Sequence, residues 1–159
     1  MAGVSTKEIK NRIRSMESTK QITKAMEMVA ASKLRRAQAQ VQNSRPYFEI
    51  FSQAIQNILA SNRDFSSPYL TRRPGNKAAY VVIAGDRGLA GGYNANVFRL
   101  ANTFKDVEFI PIGKRSCERY GKEIVSSERF SFGDALNLAD KLCEDFKNGE
   151  FDRLGIIFT

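Results

Sequence analysis

The sequence predicts an α/β protein made of one long N-terminal coiled-coil helix and a partial, open parallel sheet with flanking helices. Three observations predict it. Apolar residues recur every three or four positions from Ile9 to Ile58, strand-like and helix-like segments alternate after residue 77, and a glycine-rich turn follows the first strand. We therefore expect a helix in residues 1–60, a connector in 61–76, and an α/β domain in 77–159 that is incomplete at its C-terminus.

The helix is predicted from Ser5 to Ala60 because the stretch contains almost no helix breakers. Ser5 and Glu8 have capping-box spacing, in which each side chain satisfies a free backbone N–H at the helix start. At about 1.5 Å per residue the helix would be roughly 80 Å long, several times the width of a small domain. Pro46 is expected to bend or divide it, because proline removes a backbone hydrogen bond.

An apolar stripe, which we call the seam, runs along this helix. Steps of four and three residues from Ile9 pass through fifteen positions, and eleven of them are apolar. A period of 3.5 residues held over seven heptads indicates a left-handed coiled coil, because only an underwound helix keeps such a stripe facing one partner. The eleven seam residues are Ile9, Ile13, Met16, Ala30, Leu34, Ala37, Val41, Phe48, Phe51, Ile55 and Ile58.

The seam is interrupted at Lys20, Thr23 and Glu27, where polar residues take the coiled-coil positions. Apolar or small residues nevertheless lie nearly all round the same turns, and a helix that is apolar on most faces is buried on most faces. We expect other protein to surround this part; the alternative is an imperfect heptad in an ordinary helical hairpin. The residues concerned are Ile22, Ala25, Met26, Met28, Val29, Ala30 and Ala31.

The positive charge belongs to the helix. The chain has a net charge of +8, and residues 5–60 hold ten Lys or Arg against four Asp or Glu. A basic helix can contact nucleic acid, anionic lipid or an acidic protein. Almost no aromatic residues stand among these cations to stack on bases, which disfavours nucleic acid. A solvated face and an acidic protein collar remain as explanations.

Composition excludes several other classes of protein. The chain has no His, and its two cysteines, Cys117 and Cys143, form no CxxC motif. These facts exclude His-based triads and disfavour a zinc site or a Cys–His nucleophile, so both cysteines are expected to be structural thiols. No apolar run is long enough for a membrane span, and the first residues lack the apolar centre of a secretory signal. We expect the protein to remain inside the cell.

After the connector, the elements alternate as in an open doubly wound sheet. The apolar run at 78–84 suits a strand that is buried on both faces. The predicted elements are a strand at Ala78–Ala84, a helix at Asn94–Phe104, a strand at Val107–Ile112, a short helix at Lys114–Gly121, a helix capped by Ser131 that runs to Phe146, and a strand at Arg153–Thr159.

The glycine-rich turn stands where a nucleotide-binding fold places its phosphate loop, after the first strand and before a helix. Its glycines fit neither the dinucleotide fingerprint nor a Walker loop, so we expect no bound cofactor. The preferred interpretation is a structural turn in which Asp86 and Arg87 pair with each other or with a neighbour. The turn comprises Asp86, Arg87, Gly88, Gly91 and Gly92.

Three segments together resemble the gamma subunits of F-type ATP synthases. They are TKQITKAMEMVAASKLRRAQ at Thr19–Gln38, SRPY at Ser44–Tyr47, and DRGLAGGYN at Asp86–Asn94. The similarity runs from Ser5 to Thr159, although Ala90 stands where the family commonly carries Cys. Members of the family are roughly twice as long, so the resemblance implies that the rest of the sheet and a C-terminal helix are missing here.

The resemblance implies a non-catalytic rotor subunit without cofactor or metal. In the family, the N-terminal and C-terminal helices form an antiparallel coiled coil inside a hexamer of alternating alpha and beta subunits, and a Rossmann-like domain protrudes below. We call the long N-terminal helix the shaft. In the family, the Rossmann-like domain and the lower part of the shaft meet the epsilon subunit and the membrane rotor ring. The segment used against the hexamer corresponds here to Ile22, Thr23, Lys24, Ala25, Met26, Met28, Val29, Ala30 and Lys33.

The expected location is the cytoplasmic face of a bacterial inner membrane, as a peripheral subunit that binds neither nucleic acid nor a small-molecule substrate. Two other functions remain open. One is a small nucleotide-binding regulator with a helical oligomerisation arm, which would bind ATP or NAD through residues 77–159. The other is a nucleic-acid-binding helix, whose affinity would fall steeply with salt.

Overall fold

The computed structural model describes residues 5–61, 67–71 and 73–159, and it divides into two compact units, residues 1–65 and 66–159. Parts of the expected helix range (1–4) and of the expected connector (62–66 and 72) lie outside the described residues. The elements are α1 (Thr6–Ser61), β1 (Ala78–Ile83), α2 (Tyr93–Ala101), β2 (Val107–Ile112), α3 (Lys114–Tyr120), α4 (Phe132–Asn148) and β3 (Arg153–Ile157).

The first unit is built on α1, a single helix of 56 residues. At its start the Ser5 carbonyl accepts hydrogen bonds from the N–H groups of Glu8 (2.8 Å) and Ile9 (3.1 Å), and the Glu8 carboxylate pairs with Arg12. The helix continues through Pro46, so proline does not divide it. Pro46 forfeits only its own backbone hydrogen bond, and the helical bonds of the residues on either side continue the element.

The second unit, which we call the sheet domain, contains a parallel sheet with the strand order β2-β1-β3. In the register, Val81 of β1 lies between Ile110 of β2 and Ile156 of β3. A long helix and a parallel sheet with flanking helices confirm the predicted fold class.

Helices cover both faces of this sheet because neighbouring residues of a strand point in opposite directions. On one face Val82 packs with Val97 and Ala101 of α2. On the other, Val81 packs with Leu142 of α4 and with Phe151. Strands β2 and β3 lie on opposite sides of β1, so the connection from β1 to β2 and the connection from β2 to β3 cross the sheet in opposite directions. Because crossovers between parallel strands are right-handed, the helices of these two connections must lie on opposite faces.

The ends of the helices follow from local hydrogen bonds. Ser131 caps α4 as expected: its hydroxyl accepts from the Asp134 N–H (3.2 Å), and the Asp134 carboxylate accepts from the Ser131 N–H (2.8 Å). Helix α2 ends at Ala101, earlier than predicted, because Thr103 and Phe104 donate to carbonyls only three residues back. Such bonds tighten the last turn and close the helix.

Strand β3 is an edge strand in the part of the chain that the structure describes, because it pairs only with β1. Leu154 and Ile156 lie beside Ala79 and Val81 and therefore point to the α4 face of the sheet. Leu154 and Ile156 nevertheless remain 46% and 61% exposed. This side of the sheet thus carries an apolar surface that the described residues do not cover.

Among residues 5–61, 67–71 and 73–159, none of the helices combines the length and the apolar character that crossing a bilayer would require.

We predict that Gly113→Ala strongly destabilises the sheet domain, whereas Gly121→Ala does so mildly. Gly113 has φ +97°, and a Cβ there would lie 1.8 Å from the Ala84 carbonyl oxygen. Gly121 also has positive φ (+63°), but a Cβ would meet nothing within 4 Å, so only backbone strain remains. The expected losses in free energy of unfolding are more than about 3 kcal/mol and about 1 kcal/mol.

Urea unfolding followed by the near-ultraviolet dichroism of tyrosine measures both variants, because four of the five tyrosines lie in residues 66–159. Equal losses for the two variants would show that the close approach at Gly113 does not limit the residue size there.

Candidate functional site

The first candidate surface is the whole length of α1, in which no residue is buried within the chain. All eleven seam residues are exposed, as are all nine residues of the expected contact segment. Met26, for example, is 65% exposed. A helix of this kind gains almost nothing from burial until another molecule covers it.

Thr23 is one of the three polar residues that interrupt the seam, and its hydroxyl group is already hydrogen-bonded within the helix. The Thr23 hydroxyl donates to the Thr19 carbonyl (2.8 Å), and the Thr19 hydroxyl donates to the Ser15 carbonyl (2.9 Å). Because each hydroxyl proton is already used, these threonines offer mainly their methyl groups to a partner, and burying them carries a smaller desolvation penalty. Sequence analysis missed this effect, although the spacing of four residues between Ser15, Thr19 and Thr23 was a usable signal.

The charge of α1 is only partly balanced within the helix. Two described ion pairs, Arg12 with Glu8 (3.5 Å) and Arg45 with Glu49 (3.2 Å), each join residues four apart and are well exposed. Such surface pairs contribute about 0.3–0.5 kcal/mol each. Since ten basic residues stand against four acidic ones in residues 5–60, the shaft remains strongly positive.

The second candidate is the glycine-rich turn, and Asp86 is its centre. The Asp86 carboxylate accepts hydrogen bonds from the backbone N–H groups of Lys114 (2.8 Å), Ser127 (2.9 Å) and Glu128 (3.0 Å). It also accepts from the hydroxyls of Ser126 and Ser127. One side chain therefore joins the end of β1, the start of α3 and the loop after α3. We call this arrangement the Asp86 brace.

The brace changes the acidity of Asp86. Partial burial alone would raise the pKa of the carboxyl group, but the hydrogen bonds from Ser126 and from the backbone N–H groups outweigh it. They hold the pKa of Asp86 well below its usual range, because each of them favours the ionised form. Asp86 is thus a carboxylate throughout the physiological pH range.

The other turn residues complete a rigid loop. Arg87 pairs with Glu128 (3.4 Å), while the Asn94 side chain accepts from the Gly85 N–H (2.9 Å) and donates to the Arg87 carbonyl (3.2 Å). Gly88 lies close to the guanidinium of Arg115, and Gly91 has φ +56°. Gly92 precedes α2 as its N-cap residue. The structure brings the five predicted turn residues together in one loop, and Asp86 and Arg87 each find partners around residues 126–128.

The N–H groups around Asp86 form a site that could bind an anion. Here the protein itself supplies the anion, which is the Asp86 carboxylate. Backbone N–H groups at a turn and at a helix start are the groups that cradle phosphates in nucleotide-binding folds. Here those of Gly85 and Lys114 are occupied by the side chains of Asn94 and Asp86. A phosphate at the Lys114 N–H would have to displace a carboxylate that holds three segments together. The arrangement is therefore suited to bracing the loop.

Leu89 stands at the tip of this braced loop. Its side chain is fully exposed and its backbone has φ +57°, which is unusual for a branched apolar residue. No local pattern signals this conformation, since the strain depends on how Gly88, Ala90 and Gly91 complete the turn. Ser126–Glu128, which hold Asp86, were also missed, because nothing in the local sequence marks residues forty positions away as partners.

The cysteines differ in their surroundings. Cys117 of α3 is buried, and its sulfur accepts a hydrogen bond from the Val125 N–H (3.3 Å). Cys143 is exposed on α4. Within the described ranges, no group of three or more His, Cys, Asp or Glu side chains is arranged to hold a metal ion.

Comparison with known proteins identifies relatives over almost the full length of the chain. A family model described as ATP synthase matches residues 5–159. The ATP synthase gamma chain of Heliobacterium modesticaldum is 42% identical over 96% of this chain and 57% of its own length. That of Alkaliphilus metalliredigens is 40% identical over 99% of this chain and 58% of its own length. The chain therefore spans less than two thirds of the length of these relatives.

We predict that Asp86 stabilises the sheet domain in a pH-dependent way. The pKa of Asp86 is lower in the folded than in the unfolded protein, so its contribution is complete above the unfolded pKa of about 3.9 and is lost as the pH falls through the folded pKa. Asp86→Asn should lower the free energy of unfolding by about 2–3 kcal/mol at pH 7, because one acceptor becomes a donor facing other donors.

Urea unfolding between pH 7 and pH 2.5 measures the difference between the wild type and this variant, which should shrink below about pH 4. Asp140→Asn, which changes an exposed carboxylate on α4, is the matched control and should have little effect. A difference for Asp86→Asn that stays constant down to pH 2.5 would contradict the brace.

Proposed function

The chain belongs to the family of ATP synthase gamma chains, and from this we propose that it is a non-catalytic rotor subunit of an F-type ATP synthase. In this role it couples ion flow through the membrane sector to ATP synthesis and hydrolysis on an alpha/beta hexamer by rotation. Catalysis belongs to the hexamer. The gamma chain changes which nucleotide state each catalytic subunit adopts.

The observation that carries the proposal is the 56-residue helix, which has an apolar seam along most of its length and no buried residue. An enzyme or a small regulator would not need such a helix, whereas a shaft that works inside a ring does. The remaining polypeptide of a gamma chain would supply the second helix of the coiled coil along the seam. The faces that this helix leaves uncovered would meet the hexamer.

The contact with the hexamer is proposed for residues 22–33, namely Ile22, Thr23, Lys24, Ala25, Met26, Met28, Val29, Ala30 and Lys33. Exposed methionine and branched apolar side chains at this level can pack against several different surfaces as the shaft turns, because methionine adapts its shape readily. The excess of cations on α1 favours acidic loops on the surrounding subunits, since complementary charges steer and orient association.

The sheet domain would meet the epsilon subunit and the membrane rotor ring, at the cytoplasmic face of a bacterial inner membrane. This assignment rests on the family. The domain supports it by having a self-contained core and a braced loop, Asp86–Gly92, that presents one exposed leucine. The chain would then be a peripheral subunit attached through other proteins.

We predict that Met26→Lys impairs coupling in the assembled complex. A charge at this position must be desolvated against a partner or find an acidic group there, so one proposed contact becomes unfavourable. A full-length gamma chain that carries residues 1–159 of this sequence is assembled with alpha, beta, epsilon and membrane-sector subunits. Protons pumped per ATP hydrolysed should fall by roughly tenfold, because hydrolysis then proceeds without a matching turn of the shaft.

Gln42→Lys is the control, because it adds the same charge to an exposed polar position of the same helix outside the contact segment. It should leave the ratio unchanged. Parallel losses of hydrolysis and pumping in Met26→Lys, with the ratio intact, would argue against a coupling role for this segment.

We also predict that the isolated chain frays or self-associates along α1. Its eleven seam side chains each contribute about 1.5–3 kcal/mol when fully buried, and about half that for alanine, and none of this is realised while they are exposed. Adding a helical polypeptide that corresponds to the remaining part of a gamma chain should raise helicity and lower the oligomeric state.

Circular dichroism and sedimentation on the same samples follow both quantities. A chain that is monomeric and fully helical at micromolar concentration without any partner would show that the heptad interpretation of the seam is wrong.

A further inference from the structure

Asn148 and Gly149 stand together at the C-terminal end of α4 and form a pair that is chemically reactive in peptides. They are the single Asn-Gly dipeptide of the sequence. In such a pair the backbone nitrogen of the glycine can attack the side-chain amide of the asparagine, because glycine has no side chain to hinder the approach. Asn148 is exposed on the last turn of α4, so water reaches its amide group.

This reaction changes the backbone as well as the charge. A bond forms between the Gly149 nitrogen and the side-chain carbonyl carbon of Asn148. The bond from that carbon to the amide nitrogen breaks, and ammonia leaves with the proton of the Gly149 N–H. Water then opens the cyclic imide at either of its carbonyl groups. One product is an aspartate, and the other is an isoaspartyl residue, which carries an extra methylene in the main chain.

The folded chain holds the pair in a geometry that opposes the attack. Gly149 has φ +81° and ends α4, and its N–H donates to the carbonyl of Phe146 (3.2 Å). The next N–H, that of Glu150, donates to the Asp145 carbonyl (3.0 Å), which completes a Schellman motif. The nucleophilic nitrogen is thus held back along the helix. Ring closure would require Asn148 to leave both its helical ψ and a staggered side-chain rotamer.

Arg73 supports this end of α4. Its guanidinium lies 4.1 Å from the centroid of the Phe146 ring and donates a hydrogen bond to the Lys147 carbonyl (3.4 Å). The last carbonyls of a helix lack partners within it and carry the negative end of its dipole, so a cation stabilises them. Loss of this contact would let the last turn open more often, and with it the peptide bond that precedes Gly149.

The same cap positions the strand that follows. Phe151, two residues after Gly149, is only 3% exposed and belongs to the core on the α4 face of the sheet. The N–H groups of Asp152 (2.8 Å) and Arg153 (3.2 Å) donate to the Lys77 carbonyl, where β3 begins beside β1. An extra methylene in the main chain before Phe151 would shift these contacts. A new carboxylate would also face the negative end of the helix dipole.

We propose that Asn148 is a site of spontaneous deamidation whose rate is set by the C-terminal cap of α4. While the cap is closed the reaction is suppressed, and when the last turn opens it proceeds as in an unfolded peptide. The modification marks chains whose sheet domain has been open. It also hinders reclosure, because the isoaspartyl product cannot rebuild the same cap. This inference is independent of the rotor function.

The first measurement needs no substitution. The chain is incubated at mildly alkaline pH, which favours the attack by the backbone nitrogen, either in buffer or in guanidinium chloride that unfolds the sheet domain. Peptide mass spectrometry follows the replacement of the Asn148 amide by a carboxyl group. The rate in buffer should be about tenfold lower than in denaturant, because only the open fraction reacts. Equal rates would overturn control by the cap, and no reaction in denaturant would overturn the site itself.

The second measurement compares Arg73→Gln with Arg119→Gln in buffer. Arg119 of α3 is the matched control, since its guanidinium also lies over an aromatic ring, that of Phe98 at 5.0 Å, and donates to the Asn102 side chain. Deamidation and hydrogen exchange of the Gly149 N–H should both become about threefold faster in Arg73→Gln and stay unchanged in Arg119→Gln. In denaturant all variants should react at one rate.

Across the wild type and both variants, deamidation should rise in proportion to the exchange of the Gly149 N–H. A deamidation rate that does not follow this exchange would show that the cap does not set it. The isoaspartyl form, separated from the unmodified chain, should exchange about tenfold faster across Arg153–Ile157. Unchanged exchange in this strand would overturn the inference that the modification hinders reclosure.

Discussion

The constraint on which this chain depends is that a lone helix cannot bury its own apolar stripe. Burial of apolar surface is the main favourable term in folding, yet no residue of α1 is buried. The sheet domain is the opposite case, because Val81 and Val82 each belong to a compact core on one face of the sheet. One part of the chain is stabilised internally, and the other depends on its surroundings for a stable conformation.

The same fold element can serve different purposes, and the glycine-rich turn illustrates this. Its position after β1 is where doubly wound folds bind phosphate, but here the carboxylate of Asp86 accepts from the N–H groups of Lys114, Ser127 and Glu128. The Asp86 brace converts a place of ligand binding in other proteins into a rigid corner. Fold alone would have suggested a nucleotide, whereas the spacing of the glycines and the hydrogen bonds of Asp86 both favour a structural role.

Much of the fold could be predicted because its signals are local. β2 has the predicted bounds, since a short apolar run determines it, and Ser131 caps α4 through a residue three positions on. The end of α2 was placed too late because Phe104 still packs inward, against Tyr80, after the helix has closed. Partners of Asp86 come from far along the chain and had no local signal. The proposed contacts of α1 with other subunits stay predictions, since a single chain does not contain the surfaces that would meet them.

The edge strand β3 has a consequence for the life of the polypeptide in the cell. A free edge with apolar neighbours is a template on which another extended chain can add, and natural proteins usually protect such edges with charge, proline or a bulge. Between Leu154 and Phe158 the chain carries no charged residue and no proline. An extended apolar segment of this kind is prone to misassociation while it lacks a neighbouring strand or a covering helix. Prompt delivery to an assembly site, or protection by a chaperone, would therefore matter as much to this protein as its folded stability.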